Sequence, residues 1–91
     1  MRVIDVSDTL TTLILKHNSN LEYFISETLG YISDERCKQL RDHIKISTER
    51  TVEIELSDEI CDELLSTFDK DLPLSQAVNI VLLCGYVFGG A

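Results

Sequence analysis

The sequence predicts a single small domain that is mainly α-helical and carries a short two-stranded antiparallel ribbon. Residues Thr51–Leu56 alternate between polar and apolar side chains, as a strand with one buried face does. Arg2–Val6 alternates less regularly. Most of the other apolar residues recur at helical spacing, and a chain of 91 residues has room for only one hydrophobic core.

The first half of the chain is predicted to run from a strand into two helices. Ser7-Asp8 predicts a helix start, because the serine oxygen can accept from free amides and the acid suits the positive first turn. Apolar residues follow to Ile14, and Asn18-Ser19-Asn20 predicts a turn. A second helix is predicted to bury Leu21, Phe24, Ile25, Leu29 and Ile32. A connecting helix is predicted over residues 33–50.

The second half repeats this order. Ser57 is a predicted cap for a helix with acids in its first turn. The predicted inner face of that helix is Ile60, Cys61, Leu64, Leu65 and Phe68. Pro73 ends the following loop, and Ser75 is predicted to cap the last helix, Gln76–Phe88. Because that helix is apolar nearly all round, we expect it to be central.

The two halves can be aligned with each other. Ile4–Asp8 matches Ile54–Asp58, and Leu29–Ile32 matches Cys84–Val87 after a shift of five residues in the intervening turn. This alignment predicts one domain over residues 1–91, with a degenerate first copy at 2–32 and a second at 51–88. A chance similarity is the alternative.

Charge is distributed unevenly. The formal net charge is −8, and the last 41 residues contain eight acidic residues and one basic residue, Lys70. A DNA-binding protein usually presents a basic face, since phosphate contacts supply much of its affinity. The balance therefore favours a protein partner with a basic surface.

No set of residues predicts an enzyme, a cofactor site or a metal site. His17 and His43 are predicted to be solvated, and Asp69-Lys70-Asp71 begins like a calcium loop but lacks the glycine and glutamate that such loops need. The three cysteines, Cys37, Cys61 and Cys84, are predicted to be small core residues. Their odd number without a secretory signal is typical of a reducing compartment, so we expect a cytoplasmic protein. The apolar run Ala77–Phe88 is too short to span a membrane.

Residues Thr51–Val87 resemble the ribbon-helix-helix superfamily of small DNA-binding regulators. The resemblance consists of an alternating strand, the Ser57-Asp58 helix start, an amphipathic helix and a second helix opened by Ser75. It implies an antiparallel ribbon that lies in the DNA major groove. The two strands would come from a homodimer or, if residues 2–32 are a second copy, from an intramolecular pseudo-dimer.

The resemblance also implies which residues would contact DNA. The base readers would be Thr51, Glu53 and Glu55, and the phosphate anchor would lie near Ser75 and Gln76, with Arg2 close to the ribbon. The outward residues of a first copy would be Val3 and Asp5. DNA-binding members of the family typically carry Arg, Lys, Gln or Asn as readers, whereas several carboxylates would here face the phosphates and be repelled.

Two functions are therefore expected. The first is a small acidic regulatory protein that binds a basic protein partner, as an inhibitor or a DNA mimic of phage or plasmid type. Its predicted partner-binding residues are Asp5, Glu53, Glu55, Asp58 and Glu59. The alternative is a ribbon-helix-helix transcriptional regulator that binds operator DNA. Its predicted DNA-binding residues are Arg2, Thr51, Glu53, Glu55, Ser75 and Gln76.

Overall fold

The computed structural model describes residues 1–32, 39, 50–68 and 71–88, and these residues form a mainly helical fold with one two-stranded antiparallel sheet. The elements in chain order are β1 (Arg2–Ser7), α1 (Asp8–Leu15), α2 (Leu21–Tyr31), β2 (Thr51–Leu56), α3 (Asp58–Thr67) and α4 (Leu74–Phe88). The predicted strands, their antiparallel arrangement and the mainly helical class are confirmed. The connecting helix predicted at 33–50 and the chain end at 89–91 lie outside the described residues, apart from residues 39 and 50.

The ribbon forms within the chain. β1 pairs with β2 over six residues, with Arg2 opposite Leu56 at one end and Ser7 opposite Thr51 at the other. The Asp8 amide extends the ladder by donating to the Arg50 carbonyl at 3.0 Å. Side chains alternate across a strand, so every second residue faces the helices. The inner residues Ile4, Val6 and Leu56 are buried, and Val52 and Ile54 are half-buried.

Both strands end in a serine that caps the next helix, as predicted. The Ser7 Oγ accepts from the Leu10 amide at 3.3 Å, and the Ser57 Oγ accepts from the Ile60 amide at 3.5 Å. Asn20 caps α2 in the same way, since its Oδ1 accepts from the Tyr23 amide at 3.3 Å. These side chains satisfy amides that have no partner within their own helix.

Helix α4 is the central element, as its apolar composition predicts. It contacts β1 and each of the other three described helices. Its buried residues are Ala77, Val78, Asn79, Ile80, Val81, Leu82, Cys84 and Gly85. Gly85 lies directly against Phe24 and Thr28 of α2, and a Cβ atom at this glycine would come within 2.6 Å of both side chains. The absence of a side chain therefore sets how closely α2 and α4 approach.

Two local predictions are wrong. Leu65, predicted on the inner face of α3, is 43% exposed, whereas Cys61 and Leu64 are buried. Ile60 and Phe68 pack against the same cluster as Cys61 and Leu64, which leaves Leu65 at the margin of the buried stripe. Ser75 does not cap α4, because the helix begins at Leu74 and the Ala77 amide donates to the Pro73 carbonyl at 3.0 Å. Proline is well suited to a helix start, where its missing N–H costs nothing.

None of the described helices is both long and apolar enough to cross a membrane.

Candidate functional site

The face of the ribbon that points away from the helices holds most of the residues that the sequence singles out. Strand alternation puts Val3 and Asp5 of β1 and Thr51, Glu53 and Glu55 of β2 on this side, and all five are exposed. We call these five residues the outer ribbon face. The structure thus brings together the predicted outward residues of both strands. No member of this set is basic.

Acidic side chains oppose each other across the outer ribbon face. Asp5 lies directly opposite Glu53, and Val3 lies opposite Glu55. Directly opposite residues have Cβ atoms about 4.5–5.5 Å apart, so two carboxylates in this relation disfavour the pairing. Within the described part of the chain, neither Asp5, Glu53 nor Glu55 forms an ion pair. The ribbon therefore presents three uncompensated negative charges at some cost to its own stability.

The two other predicted partner-binding acids lie where the ribbon meets α3. Asp58 and Glu59 occupy the first turn of α3 and are exposed. The amino group of Met1 lies 3.4 Å from the Asp58 Oδ1. An exposed ion pair of this kind contributes little to stability, and the first-turn position itself suits an acid. Asp58 is thus partly compensated, unlike the acids of the outer ribbon face.

Only part of the predicted DNA-binding set is brought together, since Thr51, Glu53 and Glu55 share the outer ribbon face whereas Arg2, Ser75 and Gln76 do not. Arg2 lies opposite Leu56, so it does not share the side of Glu53 and Glu55. Its guanidinium is near enough to α3 to oppose the rise in the pKa of the Cys61 thiol. Ser75 is half-buried in the first turn of α4, and Gln76 is exposed beside it. The ribbon would therefore meet a phosphate backbone without a cation on its outer side.

The start of α2 also carries an acid. The Glu22 carboxylate lies in the first turn of α2, and its Oε1 accepts from the Ser57 amide at 2.6 Å. A phosphate anchor at a helix start requires open amides and no competing negative charge. The start of α2 is therefore poorly suited to hold a phosphate.

The amides at the ends of both strands are bound by side chains from the opposite half. Ser57 follows β2, and its amide donates to the Glu22 carboxylate of α2. Ser7 is the last residue of β1, and its buried amide donates to the Asn79 Oδ1 of α4 at 2.8 Å. In the sequence, Asn79 only interrupts the apolar run Ala77–Phe88 and does not indicate this partner. A buried polar side chain in an apolar helix nearly always has a hydrogen-bonding partner, and that was the signal available.

The buried thiols show no sign of reactivity. Cys61 and Cys84 are fully buried core residues, as predicted, whereas Cys37 lies outside the described residues. Burial raises the pKa of the Cys61 thiol, which keeps it protonated and unreactive near neutral pH.

Tyr23, on the exposed side of α2, has its pKa raised by a hydrogen bond to Glu27 and by the charge of that carboxylate.

Among the described residues, no three His, Cys, Asp or Glu side chains are placed so that they could hold a metal ion. The carboxylates of the outer ribbon face are therefore spread along a surface rather than gathered around one point.

Comparisons of the chain with protein-family models, with curated proteins and with solved structures find no match. What this chain does has to be inferred from its own residues.

Proposed function

We propose that this chain is a non-enzymatic acidic regulatory protein that acts by binding a protein partner with a basic surface. The outer ribbon face is the binding surface, and Asp58 and Glu59 extend it toward α3. The observation that carries the proposal is the group of three exposed carboxylates, Asp5, Glu53 and Glu55, none of which forms an ion pair within the part of the chain that the structure describes. Arginine or lysine side chains of a partner would supply the missing positive charge.

The arrangement of these charges favours an inhibitor that occupies a nucleic-acid-binding surface of its partner. Glu53 and Glu55 are two residues apart on one strand, or about 6.6–6.8 Å, and Asp5 lies across the ribbon from Glu53. Exposed carboxylates at these spacings present negative charges to a basic groove, as a phosphate backbone does. Electrostatic attraction between basic side chains of the partner and these carboxylates would steer association. Added salt would weaken this attraction.

We further propose that the scaffold is a ribbon-helix-helix pseudo-dimer formed by one chain. The sequence alignment relates each residue of β1 to the residue 50 positions later, so Ile4 corresponds to Ile54. The observed register places these two residues directly opposite each other. A two-fold axis through that pair would exchange the strands, mapping Val3–Glu55 onto Asp5–Glu53 and Arg2–Leu56 onto Val6–Val52, which supports an internal repeat.

The hydrogen bonds at the strand ends support the same proposal. Ser7 and Ser57 are corresponding residues, and each caps the helix that follows it. The amide of each is bound by a helix of the other half, Ser7 by α4 and Ser57 by α2. Exchange of contacts between the halves is what a two-fold relation produces.

Binding of operator DNA is the competing function, and charge opposes it at the outer ribbon face and at the start of α2. A fluorescence titration with random duplex DNA at low salt tests it directly. We expect no binding at micromolar protein. Sequence-independent binding that weakens with salt would contradict the proposal, because the described surface has no basic face to support it.

An affinity-capture experiment from the native cell tests the protein-binding proposal. The bait is the chain itself, compared with a variant that carries Asp5→Asn, Glu53→Gln and Glu55→Gln. A matched control neutralises three exposed acids outside the outer ribbon face, Glu27, Asp62 and Glu63. We expect the ribbon variant to lose a basic protein that the control variant retains. Equal capture by all three baits would contradict the proposal.

Light scattering tests the single-chain scaffold. We expect a monomer at micromolar concentration, since the ribbon is already paired within the chain. A stable dimer would show that the strands can find partners in a second copy and would argue against the pseudo-dimer.

A further inference from the structure

The outer ribbon face contains one apolar side chain among its acids. Val3 is 60% exposed, although it lies in the middle of a regular strand. Met1, just before that strand, is 79% exposed. Single exposed apolar residues are ordinary on protein surfaces. Val3 differs because it shares a flat, open face with three uncompensated carboxylates and stands directly opposite one of them, Glu55.

This side chain makes the face different at its two ends. One cross-strand pair is Val3 with Glu55, and the next is Asp5 with Glu53. The proposed two-fold axis would exchange Asp5 with Glu55, which are both acids, and Val3 with Glu53, which are not alike. Three of the four positions in these two pairs are acidic and the fourth is Val3, so the charge pattern and the apolar side chain both distinguish one orientation from the other.

We propose that the outer ribbon face binds a basic segment of its partner in one orientation, with an apolar side chain of that segment seated on Val3. This inference rests on the proposed function and names the chemistry of the partner. The occupant is a protein segment that carries one apolar residue followed, at alternate positions, by Arg or Lys. Charge complementarity selects the cations, and the exposed fraction of Val3 gives the apolar residue a surface to bury.

The two kinds of contact respond differently to salt. The carboxylates attract cations over distances of about 8–10 Å, and this attraction is screened as ionic strength rises. Burial of an apolar contact does not depend on charge, and moderate salt leaves it in place. A partner that uses both therefore keeps its preference for one orientation at salt concentrations that weaken its overall affinity.

Three synthetic peptides serve as probes. They have the sequences Leu-Thr-Arg-Thr-Arg, Arg-Thr-Arg-Thr-Leu and Ser-Thr-Arg-Thr-Arg, with blocked ends and equal charge. Each is titrated into the ¹⁵N-labelled full chain, and binding is measured from the movement of amide signals, which detects millimolar affinities. We expect the amides of Val3, Asp5, Glu53 and Glu55 to move. One leucine peptide should bind about fivefold more tightly than the serine peptide and than its own reverse.

Variants of the chain separate this inference from the proposed function. Val3→Thr keeps a β-branched side chain and should reduce the difference between the peptides to less than about twofold. Leu15→Thr changes another exposed apolar residue, at the end of α1, and should leave the difference intact. The same spectra report whether each variant is folded.

The outcomes are distinct. Equal binding of all three peptides, lost on Asp5→Asn with Glu53→Gln and Glu55→Gln, would overturn the oriented docking and leave the proposed function standing. Movement of amides elsewhere, or no movement with any peptide up to millimolar concentration, would overturn both. A peptide preference that Val3→Thr removes and Leu15→Thr keeps would support the inference.

Discussion

Residues 2–31 and residues 51–88 pass through the same order of strand, helix and helix, and each contributes six residues to the main buried cluster. Their last helices differ, because α4 buries eight residues whereas the described buried residues of α2 are Phe24, Ile25 and Thr28. Helix α4 is thus the element around which the first half packs. Two halves can share an order of elements and contribute equally to the core while corresponding helices differ in burial, so substitutions at corresponding positions should have unequal effects.

The glycines near the ends of α2 and α4 show this difference most directly. Gly30 and Gly85 correspond in the alignment, yet a Cβ atom at Gly30 would meet nothing within 4 Å, whereas one at Gly85 would come within 2.6 Å of Phe24 and Thr28. The same residue type therefore has a packing role in one half and none in the other.

The largest expected effect comes from Gly85→Ala. The added methyl group must displace the Phe24 ring and the Thr28 hydroxyl, so we expect a loss of about 2–3 kcal/mol in the free energy of unfolding. Gly30→Ala is the matched control and should stabilise the chain by about 0.5–1 kcal/mol, since alanine favours a helix. Urea denaturation measures both. Similar effects at the two positions would show that the halves pack alike.

The two bonds at the strand ends should also differ. Asn79→Ala leaves the Ser7 amide buried without an acceptor, and we expect a loss of about 2 kcal/mol. Glu22→Ala should cost about 1 kcal/mol, because Ser57 is only half-buried and water can replace the carboxylate. Both are measured by urea denaturation. A larger loss at Glu22 would reverse the order of importance of the two bonds.

Thr11 and Cys61 are a third corresponding pair, on α1 and α3. Both are buried, but the Thr11 hydroxyl has no hydrogen-bonding partner among the residues that the structure describes. Thr11→Val removes this buried hydroxyl without loss of volume and should stabilise the chain by about 1 kcal/mol. Cys61→Ser introduces a hydroxyl at the matching site and should destabilise it by a similar amount, about 1 kcal/mol. Thermal and urea unfolding measure both variants. Changes of the same sign in the free energy of unfolding would contradict the prediction.

The smallest effect should be a loss of stability at alkaline pH. Burial raises the pKa of the Cys61 thiol in the folded chain, so the unfolded chain gives up this proton at lower pH. The corresponding stability is complete below the unfolded thiol's pKa of about 8.5 and is lost as pH rises through the folded value. Urea unfolding of the wild type and of Cys61→Ala across this range checks it. A difference between them that stays constant with pH would contradict the prediction.

The elements of local structure were predictable from the sequence because local rules determine them. Alternation at Thr51–Leu56 depends on one face being buried, and serine capping is a local interaction, so β2 and the caps at Ser7 and Ser57 are confirmed. The same rule was wrong at Ser75, where the helix begins one residue earlier. The composition of α4 was enough to predict its central position. The outward side of the ribbon follows from the same alternation.

Features that depend on tertiary contact could not be predicted in the same way. Nothing local shows that Glu22 reaches Ser57 or that Gly85 meets Phe24, because these partners are far apart in the sequence. Their contacts are set by how α2 packs against the start of α3 and against α4. The exposure of Leu65 has the same origin, since helical spacing alone does not say how wide the buried stripe is. The sequence predicted which strand residues form the outer ribbon face. It did not predict the hydrogen bonds that join the strand ends to α2 and α4.

The bond between Ser7 and Asn79 has a consequence for the way the chain is made. The two residues are 72 positions apart, so β1 is synthesised well before α4. At about 5–20 residues per second, roughly 4–14 s pass before Asn79 is synthesised. Until then Ile4 and Val6 are not covered by α4, although β2 has already been made. The nascent chain therefore carries a partly covered apolar strand until α4 becomes available.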